Sequence, residues 1–235
     1  MLLADIADLV LSRACAGCAR IGSVICVECW ERSVDLRRHE VEAPGLPPIT
    51  VGARYDGMAR DAMHALKERG VLAMADPIGA WLALAVAESG AREPLVLIPI
   101  PAHRRSMATR GVDTLDRIAR RASRVLHAAG REIRVMHALQ RTLDRGRQVG
   151  MSARERRVAV AGAMTVRAAA LTGTAGASLV VIDDVVTTGA TVAEAVRALR
   201  AAGLHVSAIA AACGTPRSGQ SGKAGLHALD DRVDP

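Results

Sequence analysis

LVVIDDVVTTGAT, residues 179–191, sets an apolar run against two adjacent aspartates and follows them with valines, threonines and a glycine. Residues 180–182 read as a buried strand. In an open α/β sheet, ligands sit outside the carboxyl ends of the strands, and Asp183 and Asp184 fall at such an end. The loop Val185, Val186, Thr187, Thr188, Gly189, Ala190, Thr191 then leads into a helix expected over residues 191–202. The first amides of a helix have no internal partner, and with the helix dipole they form an anion site that needs no cation. Gly189 lets the backbone approach a ligand closely, and Thr187, Thr188 and Thr191 add hydroxyl donors. The loop therefore suits a phosphate. The two carboxylates suit hydroxyl groups and a hydrated Mg²⁺. A phosphate beside a diol describes a ribose 5-phosphate.

Working outward, strands and helices alternate along the chain. Strands are expected at residues 49–55, 95–101 and 205–213, with a further candidate at EIRVMHAL, residues 132–139. Helices are expected at 58–70, 77–90 and about 109–129, each stopped by a glycine. MSARERRVAV, from Met151, carries the N-cap pattern of Ser152 followed three residues later by Glu155. This alternation implies an α/β fold, a mostly parallel sheet flanked by helices. An acidic pair after an apolar strand also occurs in nucleotide-binding folds, but the chain has neither G-x-x-x-x-G-K-[ST] nor G-x-G-x-x-G. A response regulator would carry its acids early in the chain, not at 183–184.

Cys15, Cys18, Cys26 and Cys29 form a C-x2-C-x7-C-x2-C cluster. Two residues between cysteines allow a tight turn that aims both sulfurs at one point, and two such turns complete a tetrahedral thiolate site for structural Zn²⁺. Two disulfides or a redox pair are the alternatives, and a cytoplasmic chain disfavours structural disulfides. Cys213, alone at the end of an apolar strand, reads as a small core residue. Pro44, Gly45, Pro47 and Pro48 mark a linker. The expected organisation is an N-terminal helix plus zinc module over 1–43, an α/β domain over 44–213 and a disordered tail over 214–235.

Half the chain is hydrophobic, yet Tyr55, Trp30 and Trp81 are its only aromatic residues, so aliphatic side chains and methionine must fill the core. The formal charge is +7, carried almost wholly by arginine; Lys67 and Lys223 are the only lysines. Such an excess suits anionic partners, phosphates or nucleic acid among them. No run approaches the ~18 apolar residues of a membrane span. At the N-terminus, Asp5 and Asp8 interrupt the apolar stretch and no basic residue precedes it, so residues 1–15 read as a short amphipathic helix and not as a leader. The expected location is the cytoplasm.

Residues 179–191 resemble the phosphoribosyl pyrophosphate (PRPP) fingerprint of type I phosphoribosyltransferases. ALKERG around Lys67, IPIPAHRRSMATRG from Ile98 and RQVGMSARERRVAVAGAM from Arg147 follow in the order typical of ComF-like, competence-protein phosphoribosyltransferases, and the four-cysteine module fits that family too. The resemblance implies that Asp183 and Asp184 hold the ribose hydroxyls, directly or through Mg²⁺, and that residues 185–191 cradle the 5-phosphate. It implies a pyrophosphate site in the loop with Arg104, Arg105 and Arg110, whose planar forks suit that group. Lys67, Gln148 and Arg156 match family positions, and residues 141–156 correspond to a stretch that could close over the ligand. It further implies either phosphoribosyl transfer to an acceptor or a role in DNA uptake through single-stranded DNA. With so few aromatics, DNA binding would rest on phosphate contacts and weaken with salt. Three positions depart from the family pattern. Val112, Asp113 and Thr114 replace an aromatic–Asn–Gln run, Ala159 replaces Asn, and Met164 replaces Phe. Asp113 would place a negative charge near the expected pyrophosphate site.

Overall fold

The computed structural model describes residues 14–38, 45–102, 113–142, 162–168, 174 and 176–215. Two long strands form its centre: β7 (Ser178–Val186) and β8 (Val206–Gly214), parallel and hydrogen-bonded. On the other side of β7 lies β3 (Leu95–Pro99), also parallel, and beyond it β4 (Ile133–Val135). On the far side of β8, β2 (Ile49–Arg54) is parallel, while β1 (Val34–Arg38) closes the edge antiparallel to β2. The six-stranded order is β1-β2-β8-β7-β3-β4. A separate antiparallel pair, β5 (Leu139–Arg141) and β6 (Met164–Val166), forms a small second sheet.

The central strands are apolar on both faces because helices cover both. Val180 and Ile182 of β7, with Ala208 and Ala210 of β8, pack against α2 (Gly57–Lys67), α3 (Ala75–Ala87) and α4 (Thr114–Ala128). Leu179 and Val181, with Ile209 and Ala211, face α5 (Ala190–Ala201) and the β5–β6 hairpin, through Leu139 and Met164. Successive strand residues point to opposite faces, so a continuous apolar run marks a strand buried on both sides. Small residues let the layers approach closely. A Cβ on Gly52 in β2 would overlap the carbonyl oxygen of Trp81 in α3.

The expected fold class holds: an α/β fold with a mostly parallel sheet between helices. Several boundaries differ, for identifiable reasons. The strand expected to stop before Asp183 runs on to Val186, because β8 is long enough to pair Val185 with Cys213 and Val186 with Gly214. The helix expected from residue 109 begins at Thr114, and Asp113 is its N-cap, its carboxylate accepting from the Asp116 amide at 3.1 Å. The charge at position 113 is thus set against a helix N-terminus, where it is stabilising. EIRVMHAL divides into two strands of different sheets. The expected N-terminal helix, the Ser152–Glu155 cap and most of the expected tail lie outside the described residues. Among the described residues, no helix is long and apolar enough to cross a membrane.

Candidate functional site

The chain leaves β3 for β4 on one side of the sheet and β7 for β8 on the other, so the order reverses between β3 and β7. At such a reversal, outside the carboxyl ends of the two strands, doubly wound sheets bind ligands. β3 ends with Pro99 opposite Ile182, so Asp183 and Asp184 project past it while still paired to β8. Strand alternation turns Asp184 toward the α2 layer and Asp183 toward the α5 layer. Lys67, the last residue of α2, meets Asp184 with Nζ–Oδ2 at 2.6 Å, and both side chains are largely buried. The Asp184 amide donates to Asp183 Oδ1 at 2.8 Å. Burial, followed by the charge of Asp184, pushes the Asp183 carboxyl up to about 7; the Asp184 amide, Lys67 and Arg141 pull the other way. Two like carboxylates and two cations from opposite layers therefore share one strand end.

β7 gives way at Thr187 to a short turn, and Gly189 enters α5 with φ 77° and ψ 1°, a left-handed conformation that L side chains rarely adopt. The first intrahelical bond runs from the Ala193 amide to the Gly189 carbonyl at 2.9 Å. The amides of Ala190, Thr191 and Val192 thus precede the helical ladder. Thr188 Oγ1 makes one long contact, 3.5 Å, with the Ala190 amide. Thr187 is exposed and Thr188 half-buried. Val185 and Val186 lie within β7, and Val186 is buried in the core, so each can offer a ligand only its backbone. The structure thus brings Asp183, Asp184, residues 187–191 and Lys67 to one strand end. Arg104, Arg105, Arg110, Gln148 and Arg156 lie outside the described residues.

Sequence reasoning named Arg141 only as the start of a stretch that could close over the ligand, not as a partner of the acids. Arg141 stands in β5, its Nε donates to the Pro101 carbonyl at 3.0 Å, and its charge acts on Asp183. In the sequence it is one arginine among many, forty-odd residues from the acids, and only the return of the hairpin over the α5 face carries it there.

The second candidate site is the four-cysteine cluster. The four sulfurs lie within 4.8 Å of one another, and no disulfide joins them. Zn–S bonds of about 2.3 Å in a tetrahedron require S···S separations of about 3.8 Å. Cys18 and Cys26 stand 3.7 Å apart, so the residues fit the ion. Amides of Gly17 and Cys26 donate to Cys15 Sγ at 3.4 and 3.3 Å, and Arg32 donates to Cys29 Sγ at 3.4 Å, the outer contacts that steady thiolate ligands. Cys26 caps α1 (Val27–Ser33), whose first turn carries Cys29. An Arg20–Glu28 ion pair at 2.9 Å ties the two turns together. The cluster is not an isolated unit. Trp30 stacks on the buried Trp81 of α3 with centroids 5.5 Å apart and planes 2° from parallel. Trp81 Nε1 donates to Ser33 Oγ at 3.1 Å, and β1 continues the main sheet from the end of α1.

A doubly wound sheet with an acidic strand end beside a helix-capping glycine defines a class of phosphate-sugar-binding α/β proteins. The phosphoribosyl transferase domain family matches residues 106–224, just over half of the chain, and the chain belongs to that family. No curated protein matches it.

Proposed function

We propose that the protein binds PRPP with Mg²⁺ at the end of β7 and transfers its phosphoribosyl group to an acceptor. The observation that carries this reading is the adjacency of the Asp183–Asp184 pair to the glycine-led N-terminus of α5. The first turn of α5, with Thr187, Thr188 and Thr191, would take the 5-phosphate through amides and hydroxyls. Asp183 and Asp184 would accept from the ribose hydroxyls and offer hard oxygen ligands to the cation. Lys67 orients Asp184 through their ion pair. The chain beyond Pro101, with Arg104, Arg105 and Arg110, would receive the pyrophosphate. In the reaction the acceptor's lone pair forms a bond to ribose C1 while the bond from C1 to the pyrophosphate oxygen breaks, and the electron pair leaves with pyrophosphate. Stabilising that departing charge is the site's main task. Bound Mg²⁺ would supply further positive charge there.

The ComF-like assignment rests on the four-cysteine module ahead of a phosphoribosyl transferase domain and on the three motifs around Lys67, Ile98 and Arg147. Calorimetric titration of PRPP with and without Mg²⁺ tests the site. Mg²⁺-dependent binding, lost in an Asp183→Asn/Asp184→Asn protein that still folds, is expected. No binding by folded, zinc-loaded wild type would overturn the reading. A second reading, single-stranded DNA binding in DNA uptake, is supported by the formal charge of +7. Affinity for an oligonucleotide would then fall steeply as salt rises, and salt-independent or absent binding would remove it.

A further inference from the structure

The β5–β6 hairpin is fastened on two sides. Toward α5, the buried Glu194 accepts from the Met164 amide at 2.9 Å. Arg197 donates to the Met164 carbonyl at 3.1 Å and grips both Glu194 oxygens at 2.7 and 2.8 Å. Both peptide groups of one residue are therefore held by a single ion pair. Met164 is the cross-strand partner of Arg141, so fixing one fixes the other. A second rung, the Thr142 amide to the Ala163 carbonyl at 2.9 Å, keeps the hairpin from splaying beyond Arg141. Toward the end of β7, Arg141 donates to the Pro101 carbonyl at 3.0 Å, and its charge acts on Asp183. Pro101 lies two residues past the end of β3, on the chain leading to Arg104.

We propose that Arg141 is a positioning residue that holds the exit of β3 against the Asp183 carboxylate, with the Glu194–Arg197 pair fixing the hairpin from which it reaches. What is positioned depends on the phosphoribosyl reading: the leaving-group end of the site relative to the diol-binding acid. Arginine suits the task because its planar fork donates through Nε to a carbonyl while its delocalised charge acts on a nearby carboxylate, and a lysine ammonium has no such fixed geometry. The hairpin cannot slide along α5 without stripping a buried carboxylate of its partners, which is costly. The separation between the phosphate-binding end at α5 and the β3 exit is thereby set through one side chain.

The test compares full-length, zinc-loaded wild type with Arg141→Gln and Arg141→Lys. Three readouts are needed: binding of Mg²⁺-PRPP, binding of ribose 5-phosphate, and amide hydrogen exchange over residues 98–102. In Arg141→Gln, PRPP affinity should fall about tenfold, whereas ribose 5-phosphate, which lacks the pyrophosphate, should weaken by less than about threefold. Exchange at Ile100 and Ala102 should quicken. Arg141→Lys should recover little of the PRPP affinity, and it carries the same readouts if the glutamine variant does not fold. Unchanged exchange at Ile100 and Ala102 would overturn the proposal whatever the ligands do. Equal loss of both ligands with a fallen melting temperature would also overturn it, leaving Arg141 a fold-stabilising residue. A wild type that binds neither ligand would overturn the phosphoribosyl reading instead, and the exchange result would still decide the part played by Arg141.

Discussion

Asp183 is held in a way that costs the ligand-free fold stability. Burial and the neighbouring Asp184 carboxylate raise its folded pKa to about 7 from an ordinary value of 3.8. Between those values the folded state holds a proton that the unfolded state has released, so this group's contribution to stability falls as pH rises through that window. Asp183→Asn should therefore stabilise the metal-free, ligand-free protein at pH 8 by about 1–3 kcal/mol, with the gain vanishing below about pH 4. Denaturant unfolding of both proteins at the two pH values measures it. A gain of equal size at both would mean that Asp183 is not the titrating group. The same environment would suit a polyhydroxyl ligand or a cation, since either replaces lost water at a carboxylate that burial leaves poorly solvated. The acids and the glycine were legible in the sequence because strand–DD–loop–helix is local. Lys67 was marked by its motif, but its pairing with Asp184 depends on where α2 ends over the sheet.

Packing between elements depends on small residues at contact points. β2 approaches α3 so closely that position 52 has no room for a side chain beyond hydrogen. Gly52→Ala should destabilise the fold by about 3 kcal/mol, because the obstacle is the backbone carbonyl of Trp81 and not a side chain that can swing aside. Thermal unfolding with zinc bound checks this, and a change within about 0.5 kcal/mol would mean that α3 shifts freely. A glycine inside a strand pattern signals close approach or a bulge, but the sequence does not say against what. Helix α5 poses the opposite problem. Its apolar positions were legible, yet Glu194 sits among them as a buried carboxylate satisfied by Met164 and Arg197. An i, i+3 Glu–Arg pair reads as an ordinary solvated one until the hairpin is placed on it.

Across the whole molecule, the cysteine cluster and the α/β core share one interior. Trp30 stacks on Trp81, and β1 adds the module's chain to the edge of the sheet, so an ion held by the four cysteines would be linked to core stability. Stripping zinc with a chelator under reducing conditions should lower the melting temperature by about 10 °C. Tryptophan emission should shift at the same time, because the stack is the joint. Emission unchanged after verified zinc loss would mean that the cluster and the core are independent. β1, at residues 34–38, lies before the division expected at residue 43 from the cysteines and the Pro/Gly linker, and it belongs to the main sheet.

The fold class, the strand end that carries the acids, the glycine-led helix start beside it and four cysteines spaced to hold one ion can all be read from the chain alone. Each is written in residues close together in the chain, as a periodicity, a spacing or a loop composition. Three-dimensional packing alone sets Asp183 and Asp184 toward opposite layers, brings Lys67 and Arg141 to them from those layers, and has Glu194 secure the hairpin behind Arg141. It also has Trp30 and Trp81 join the cysteine cluster to the core. Those relations link residues far apart in the chain. They are set by sheet order and helix placement, which depend on the burial of the whole apolar pattern at once.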